Sequence, residues 1–213
     1  LKTGDLIIAV NKKSTMNMEL QEVVSEIKKK ENKKVVLTIY RDKKSKDYTV
    51  KKSSVQLDTV SYKMKEKKIG YIAVSQFLEN TGDQFDKAVT ALEKKGMKSL
   101  IIDLRDNGGG LLNTCTQMVS RVIDKDKLIV YTKDKEGNKE EFKSDSGKTL
   151  EIPIIILVNG NTASASEIMT GCLKDYGKAT VVGTTTYGKG IVQSIRQLSD
   201  GSAVKLTTAK YFT

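Results

Sequence analysis

Ile152-Pro-Ile-Ile-Ile-Leu-Val158, running on into Asn159-Gly-Asn-Thr-Ala-Ser-Ala-Ser-Glu-Ile168, is the stretch that decides the fold. Its first seven residues form the longest apolar run in the chain and suit a buried strand. A turn of small and polar residues follows, and a helix begins near Ala163 or Ser164. The same strand–turn–helix order occurs upstream. There Ser99-Leu-Ile-Ile-Asp-Leu104 enters Arg105-Asp-Asn-Gly-Gly-Gly110, then a helix with Leu111, Cys115, Met118, Val119 and Val122. A further strand at 179–183 follows the Ser164 helix. Strands alternating with helices give an α/β core whose strand-end loops carry function.

Working outward, strands at 59–65 and 69–75 lead into a helix at 81–95 with Phe85, Val89 and Leu92 on one side. Segments 127–132 and 141–143 read as outer strands around a charged hairpin. Residues 191–198 and 203–211 alternate as a β-hairpin that turns at Asp200-Gly201. Residues 1–55 read as a separate small module. It has a strand at 4–11, a helix with Leu20, Val23, Val24 and Ile27 on its apolar face, a strand at 35–40, and another at 48–50 after a polar turn at 42–47. Four short elements make a thin core, so this module is expected to begin ahead of Leu1.

At 213 residues and 38% hydrophobic content the chain can bury a core. No apolar run approaches the roughly 18 residues of a membrane span. The net charge of +11 comes mainly from lysines spread along the sequence without interleaved aromatics. That pattern suits a solvated surface better than nucleic acid. Two cysteines, Cys115 and Cys172, fall in helices without a ligand-spaced partner. Buried thiols are therefore expected, with no metal and no cofactor.

The chain has no histidine. A serine nucleophile needs a proton acceptor, and lysine is the remaining candidate. Ser164 stands at a helix mouth, where unpaired N–H groups and the helix dipole favour an attacking oxygen and the oxyanion it creates. The competing reading is a helix cap, with Glu167 completing a capping box. Lys189 lies between Gly188 and Gly190, with Val181, Val182, Ile191 and Val192 around it. A lysine base must drop from a pKa of about 10.4 to near 7, which costs about 4–5 kcal/mol of disfavoured charge. The competing reading is one more surface lysine. In an extended segment Lys189, Ile191 and Gln193 share a face, so the Gln193 amide can orient the amine. The Gly108-Gly-Gly110 N–H groups can join that of Ala165 in holding an oxyanion, or simply turn the chain. Residues 183–189 imitate a phosphate-binding loop. Gly190 stands where Ser or Thr should hold magnesium, and a strand pattern follows, so a nucleotide-binding reading fails.

With Leu1-Lys-Thr-Gly-Asp-Leu-Ile7, Asp103-Leu-Arg-Asp-Asn-Gly-Gly-Gly110, Thr186-Tyr-Gly-Lys-Gly190 and Ser199-Asp-Gly-Ser202 in order, the chain resembles the carboxy-terminal processing, or tail-specific, proteases. The resemblance implies a mixed α/β fold: a partial PDZ module over 1–55 whose first part precedes Leu1, then a serine protease core over 56–213. That core is an α/β sandwich of the crotonase/ClpP-like kind, expected to continue past Thr213. It implies Ser164 as nucleophile (Ser166 as fallback), Lys189 as general base and Gln193 as the residue positioning the lysine. Gly110 and Ala165 would supply the oxyanion-hole N–H groups. The helix at 19–30 would present Leu20, Val23, Val24 and Ile27 to a protein tail captured by strand addition. An extracytoplasmic setting is implied (cell envelope, periplasmic or secreted), with room for a membrane anchor and a homo-oligomer and with no nucleic-acid partner. The alternative is a PDZ-bearing adaptor without turnover. Retention of Ser164, Lys189 and Gln193 together argues against it.

Overall fold

The computed structural model describes residues 1–29, 33–53, 57–145 and 149–213. The chain divides into two compact units, Leu1–Gln56 and Leu57–Thr213.

The first unit contains β1 (Leu6–Val10), β2 (Lys13–Ser14), α1 (Leu20–Lys28), β3 (Lys34–Arg41) and β4 (Lys44–Lys51), with sheet order β2-β1-β3-β4. Its buried core is Val10, Val35, Leu37 and Ile39, with Val23, Ile27, Tyr48 and Val50 packed against it. The alternation of Val35, Leu37 and Ile39 is the period-2 signature of a half-buried strand. Two expectations need correcting. The polar turn is not 42–47 but the two residues Asp42 and Lys43, at φ 49° and 59°, which close a tight hairpin between Arg41 and Lys44. Residues 44–47 therefore belong to β4, an edge strand too exposed to show an apolar alternation. The helix expected at 19–30 spans Leu20–Lys28, and Lys30 lies outside the described residues.

The second unit runs β5 (Val60–Lys65), β6 (Ile69–Val74), α2 (Thr81–Lys94), β7 (Ser99–Asp103), α3 (Leu112–Ser120), β8 (Leu128–Asp134), β9 (Lys139–Lys143), β10 (Ile154–Val158), α4 (Ala165–Asp175), β11 (Ala179–Gly183), β12 (Ile191–Gln197) and β13 (Ala203–Phe212). One sheet has the order β11-β10-β7-β6-β5, parallel except where β5 meets β6. The other, β12-β13-β8-β9, is antiparallel. Ile72, Val74, Leu100, Ile102, Ile154 and Ile156 share a core with Phe85, Val89, Met118, Ile168 and Met169 from α2, α3 and α4. The apolar run of β10 is not buried throughout. Ile154, Ile156 and Val158 are enclosed, whereas Ile155 is 38% exposed. Register then levels the functional loops. Leu157 pairs with Asp103 and Val158 with Gly183, so β7, β10 and β11 release their chains at the same edge of the sheet. That is the edge where open parallel sheets carry their sites.

Candidate active site

The loop leaving β7 is held by Asn107, whose side chain is fully buried. Its Nδ2 donates to the Val74 carbonyl (2.8 Å) and its Oδ1 accepts from Gly109 N–H (2.9 Å). Its own carbonyl accepts from Ala163 N–H (3.0 Å) and Ser166 Oγ (3.1 Å). One asparagine thus joins β6, the glycine loop and the serine turn. Asp106 adds a second tie, accepting from Asn161 (2.8 Å) and Asn159 (2.9 Å) side chains, which keep its carboxyl below the usual range. Thr162 Oγ1 donates to the Leu104 carbonyl at 2.8 Å.

These ties put the glycine loop against Ser164. A Cβ on Gly109 would lie 2.8 Å from Ser164 Cβ and 2.9 Å from Ala165 N. A Cβ on Gly110 would strike the Phe77 carbonyl oxygen at 2.1 Å. Both residues have positive φ, 96° and 145°, so glycine is demanded by conformation and by space. Phe77 and Gly110 form a parallel bridge in which Phe77 N–H donates to Gly109 O and Leu111 N–H donates to Phe77 O. That pattern leaves the Gly110 N–H without an acceptor among the described residues. The Ala165 N–H, in the first turn of α4, also lacks one.

Ser164 is half-buried at the mouth of α4 with φ 58° and ψ −118°, a region rarely used by a residue with a Cβ. Its N–H donates to Glu167 Oε2 at 2.8 Å. The same oxygen accepts the Lys189 N–H at 2.8 Å, while Oε1 accepts Thr186 Oγ1 (2.7 Å) and Gly188 N–H (2.6 Å). Burial alone would raise the Glu167 pKa. These four hydrogen bonds outweigh it and hold the carboxyl below its ordinary value. The β11–β12 loop is also anchored by Tyr187 N–H to Thr162 O (3.0 Å). The sequence suggested Glu167 only as a capping partner of Ser164. Its hold on the lysine loop links residues 22 positions apart, and no local pattern announces it.

Ser164 and the half-buried Lys189 line one cavity of about 280 Å³ with Glu167, Ile168 and Tyr211. Tyr211 is pushed up in pKa by burial, and its N–H donates to the Gly190 carbonyl at 2.9 Å. Gln193 is exposed on β12, opposite Thr207, beside a register shift, and does not line this cavity. Ser166 is fully buried and bonded to Asn107, so it is the less accessible of the two serines. Residues 183–190 are followed by β12 and not by a helix. In the first unit Leu20 is 74% exposed, Val24 is half-buried, and Val23 and Ile27 pack on the local core.

A second cavity of about 550 Å³ opens at the ends of β6, β7 and β10, lined by Ser61, Ser75, Asp103, Arg105, Asp106 and Asn159. The Arg105 guanidinium, with help from Tyr71 OH at 2.6 Å, holds the Asp103 carboxyl down to about 2. Cys115 and Cys172 are buried free thiols beneath the site. Burial raises Cys172 to about 12, and Cys115 Sγ donates to the Ala165 carbonyl.

The sequence matches peptidase family S41 over residues 68–213. It is 40% identical over 214 residues to the carboxy-terminal processing protease CtpA of Bacillus subtilis (strain 168). It is 40% identical over 215 residues to a probable CtpA-like serine protease of Staphylococcus aureus (strain N315). Both matches cover all of this chain, which spans 46% and 43% of those proteins. Among solved structures, the photosystem II D1 C-terminal processing protease aligns with a TM-score of 0.67 at 27% identity. That alignment covers the whole of this chain and 59% of the other.

Proposed function

The chain belongs to peptidase family S41, and on that premise we propose that it carries the Ser–Lys centre of a serine endopeptidase cleaving proteins near their C-termini. The observation that carries the reading is the shared Glu167 Oε2. It accepts the backbone N–H of Ser164 and of Lys189, each at 2.8 Å, and both side chains line one cavity. Ser164 Oγ attacks the scissile carbonyl while the Lys189 amine takes its proton. The proton then passes to the leaving amine, and a water molecule repeats the sequence on the acyl-enzyme. The unpaired N–H groups of Gly110 and Ala165 supply the donors for the tetrahedral oxyanion. Ile168 and Tyr211 line the same cavity as the lysine.

The first unit is proposed as a PDZ-type module that captures protein tails by strand addition. In support, β1 exposes Leu6, Ile7 and Ile8, and α1 exposes Leu20. The relatives named for carboxy-terminal processing support the same position of cleavage. No helix among the described residues is long and apolar enough to cross a membrane. An extracytoplasmic setting remains part of the proposal.

The test is peptide hydrolysis by Ser164→Ala and Lys189→Ala, each followed from pH 6 to 9. Both should lose at least about a thousandfold in kcat while thermal unfolding stays within a degree or two. Near-normal turnover by either variant would overturn the dyad.

A further inference from the structure

The positive charge of this chain is not evenly spread. Residues 1–56 hold 14 of the 37 lysines and arginines but only 7 of the 26 acidic residues. The small unit therefore carries +7 of the net +11. The sequence alone suggested a uniform solvated surface, and the fold concentrates the charge further. Lys34 and Lys51 are direct cross-strand partners at the open end of the β3–β4 hairpin. Lys52 N–H donates to the Lys33 carbonyl (2.9 Å), and Lys52 Nζ donates to the Lys29 carbonyl at the end of α1. Asn11 exchanges hydrogen bonds with Val36, which brings the Asn11–Lys12 turn and Lys13 to the same end. Lys29 pairs with Glu26 at 2.7 Å, and Lys13 also acts on that carboxylate. Lys28 completes the set. Among the described residues, eight lysines in or beside α1, β3, β4 and the β1–β2 turn thus lie at one end of the unit, where Lys29 and Lys13 act on Glu26.

Like charges placed directly opposite in a hairpin are destabilising, so the Lys34–Lys51 pair is held against a local cost. The other end of the sheet differs. There Arg41 is bonded twice to Asp5, and Asp42 and Asp47 balance the nearby lysines. The patch contains no arginine fork and no aromatic residue, which disfavours specific carboxylate clamps and base stacking. Its lysines line none of the cavities described above. Compact point charges on the rim of a unit fit a broad anionic plane.

We propose that this end of the first unit docks on an anionic lipid bilayer. Each lysine brought near an anionic leaflet strengthens binding by about fivefold, an effect that decays within a Debye length. The experiment sediments the 213-residue protein with phosphatidylcholine vesicles, with and without phosphatidylglycerol, at low and high salt. One variant carries Lys12→Gln, Lys13→Gln, Lys34→Gln and Lys51→Gln. A control carries Lys67→Gln, Lys68→Gln, Lys94→Gln and Lys95→Gln, all exposed in the other unit. Salt-sensitive binding to the anionic vesicles alone is expected, with at least about a tenfold loss in the patch variant and at most about twofold in the control. Hydrolysis of a soluble peptide should not change in the patch variant. Should the quadruple variant fail to fold, Lys12→Gln with Lys13→Gln on the turn should still lose severalfold. Equal losses in patch variant and control would overturn the proposal, as would no binding to anionic vesicles. Binding of a single-stranded oligonucleotide or an acidic peptide in place of vesicles would overturn it too.

Discussion

Ser164 holds a backbone conformation, φ 58° and ψ −118°, that glycine tolerates and other residues resist. Both Ser164→Ala and Ser164→Gly remove the hydroxyl, but only glycine relieves the strain. Calorimetry should therefore rank Ser164→Gly above Ser164→Ala by about 1 kcal/mol, and the reverse order would place the strain elsewhere. Glu167 makes a complementary prediction. Glutamine offers one acceptor oxygen where two now take four donors, so Glu167→Gln should lower kcat about 10- to 100-fold with little change in KM. The folded-state pKa of Glu167 lies below its ordinary value. Its stabilisation is therefore complete above the unfolded value of about 4.3 and is lost as pH falls through the folded one. The melting-temperature advantage of wild type over Glu167→Gln should hold at neutral pH and shrink in acid. The meeting of Ser164 and Lys189 in one cavity was legible from the absence of histidine and the small-residue turns. The wider role of Glu167 was not, because it depends on a loop returning from β11.

At the scale of elements, the strand–turn–helix repeats at 99–120 and 152–175 were readable from apolar runs that end in glycine or asparagine. Two features escaped for physical reasons. The first half of the polar hairpin strand β4, residues 44–47, is exposed throughout and so leaves no alternation in the sequence. The two-residue β2 is defined by its pairing with β1 alone. The glycine loop after β7 makes the sharpest element-level prediction. Gly110→Ala puts a methyl group into the Phe77 carbonyl at a positive φ, and the bridge between the two residues must open. A loss of about 3 kcal/mol is expected by denaturant titration, together with reduced turnover as the Gly110 N–H moves. An unchanged midpoint would show that the loop adapts without cost.

For the molecule as a whole, the two units are unequally built. The larger rests on a core drawn from α2, α3 and α4 and from strands β6, β7, β8 and β10, whereas among the described residues the smaller buries four apolar side chains and α1 buries none. Hydrogen exchange should open β1 and α1 well before β7 and β10, and equal protection would contradict that ordering. Under the proposed endopeptidase function, the smaller unit is itself a candidate substrate that travels with the enzyme. The residues around so small a core become accessible far more often than those of the larger unit. Self-nicking there would then remove the proposed tail-binding module from old molecules before it reached the proposed catalytic residues.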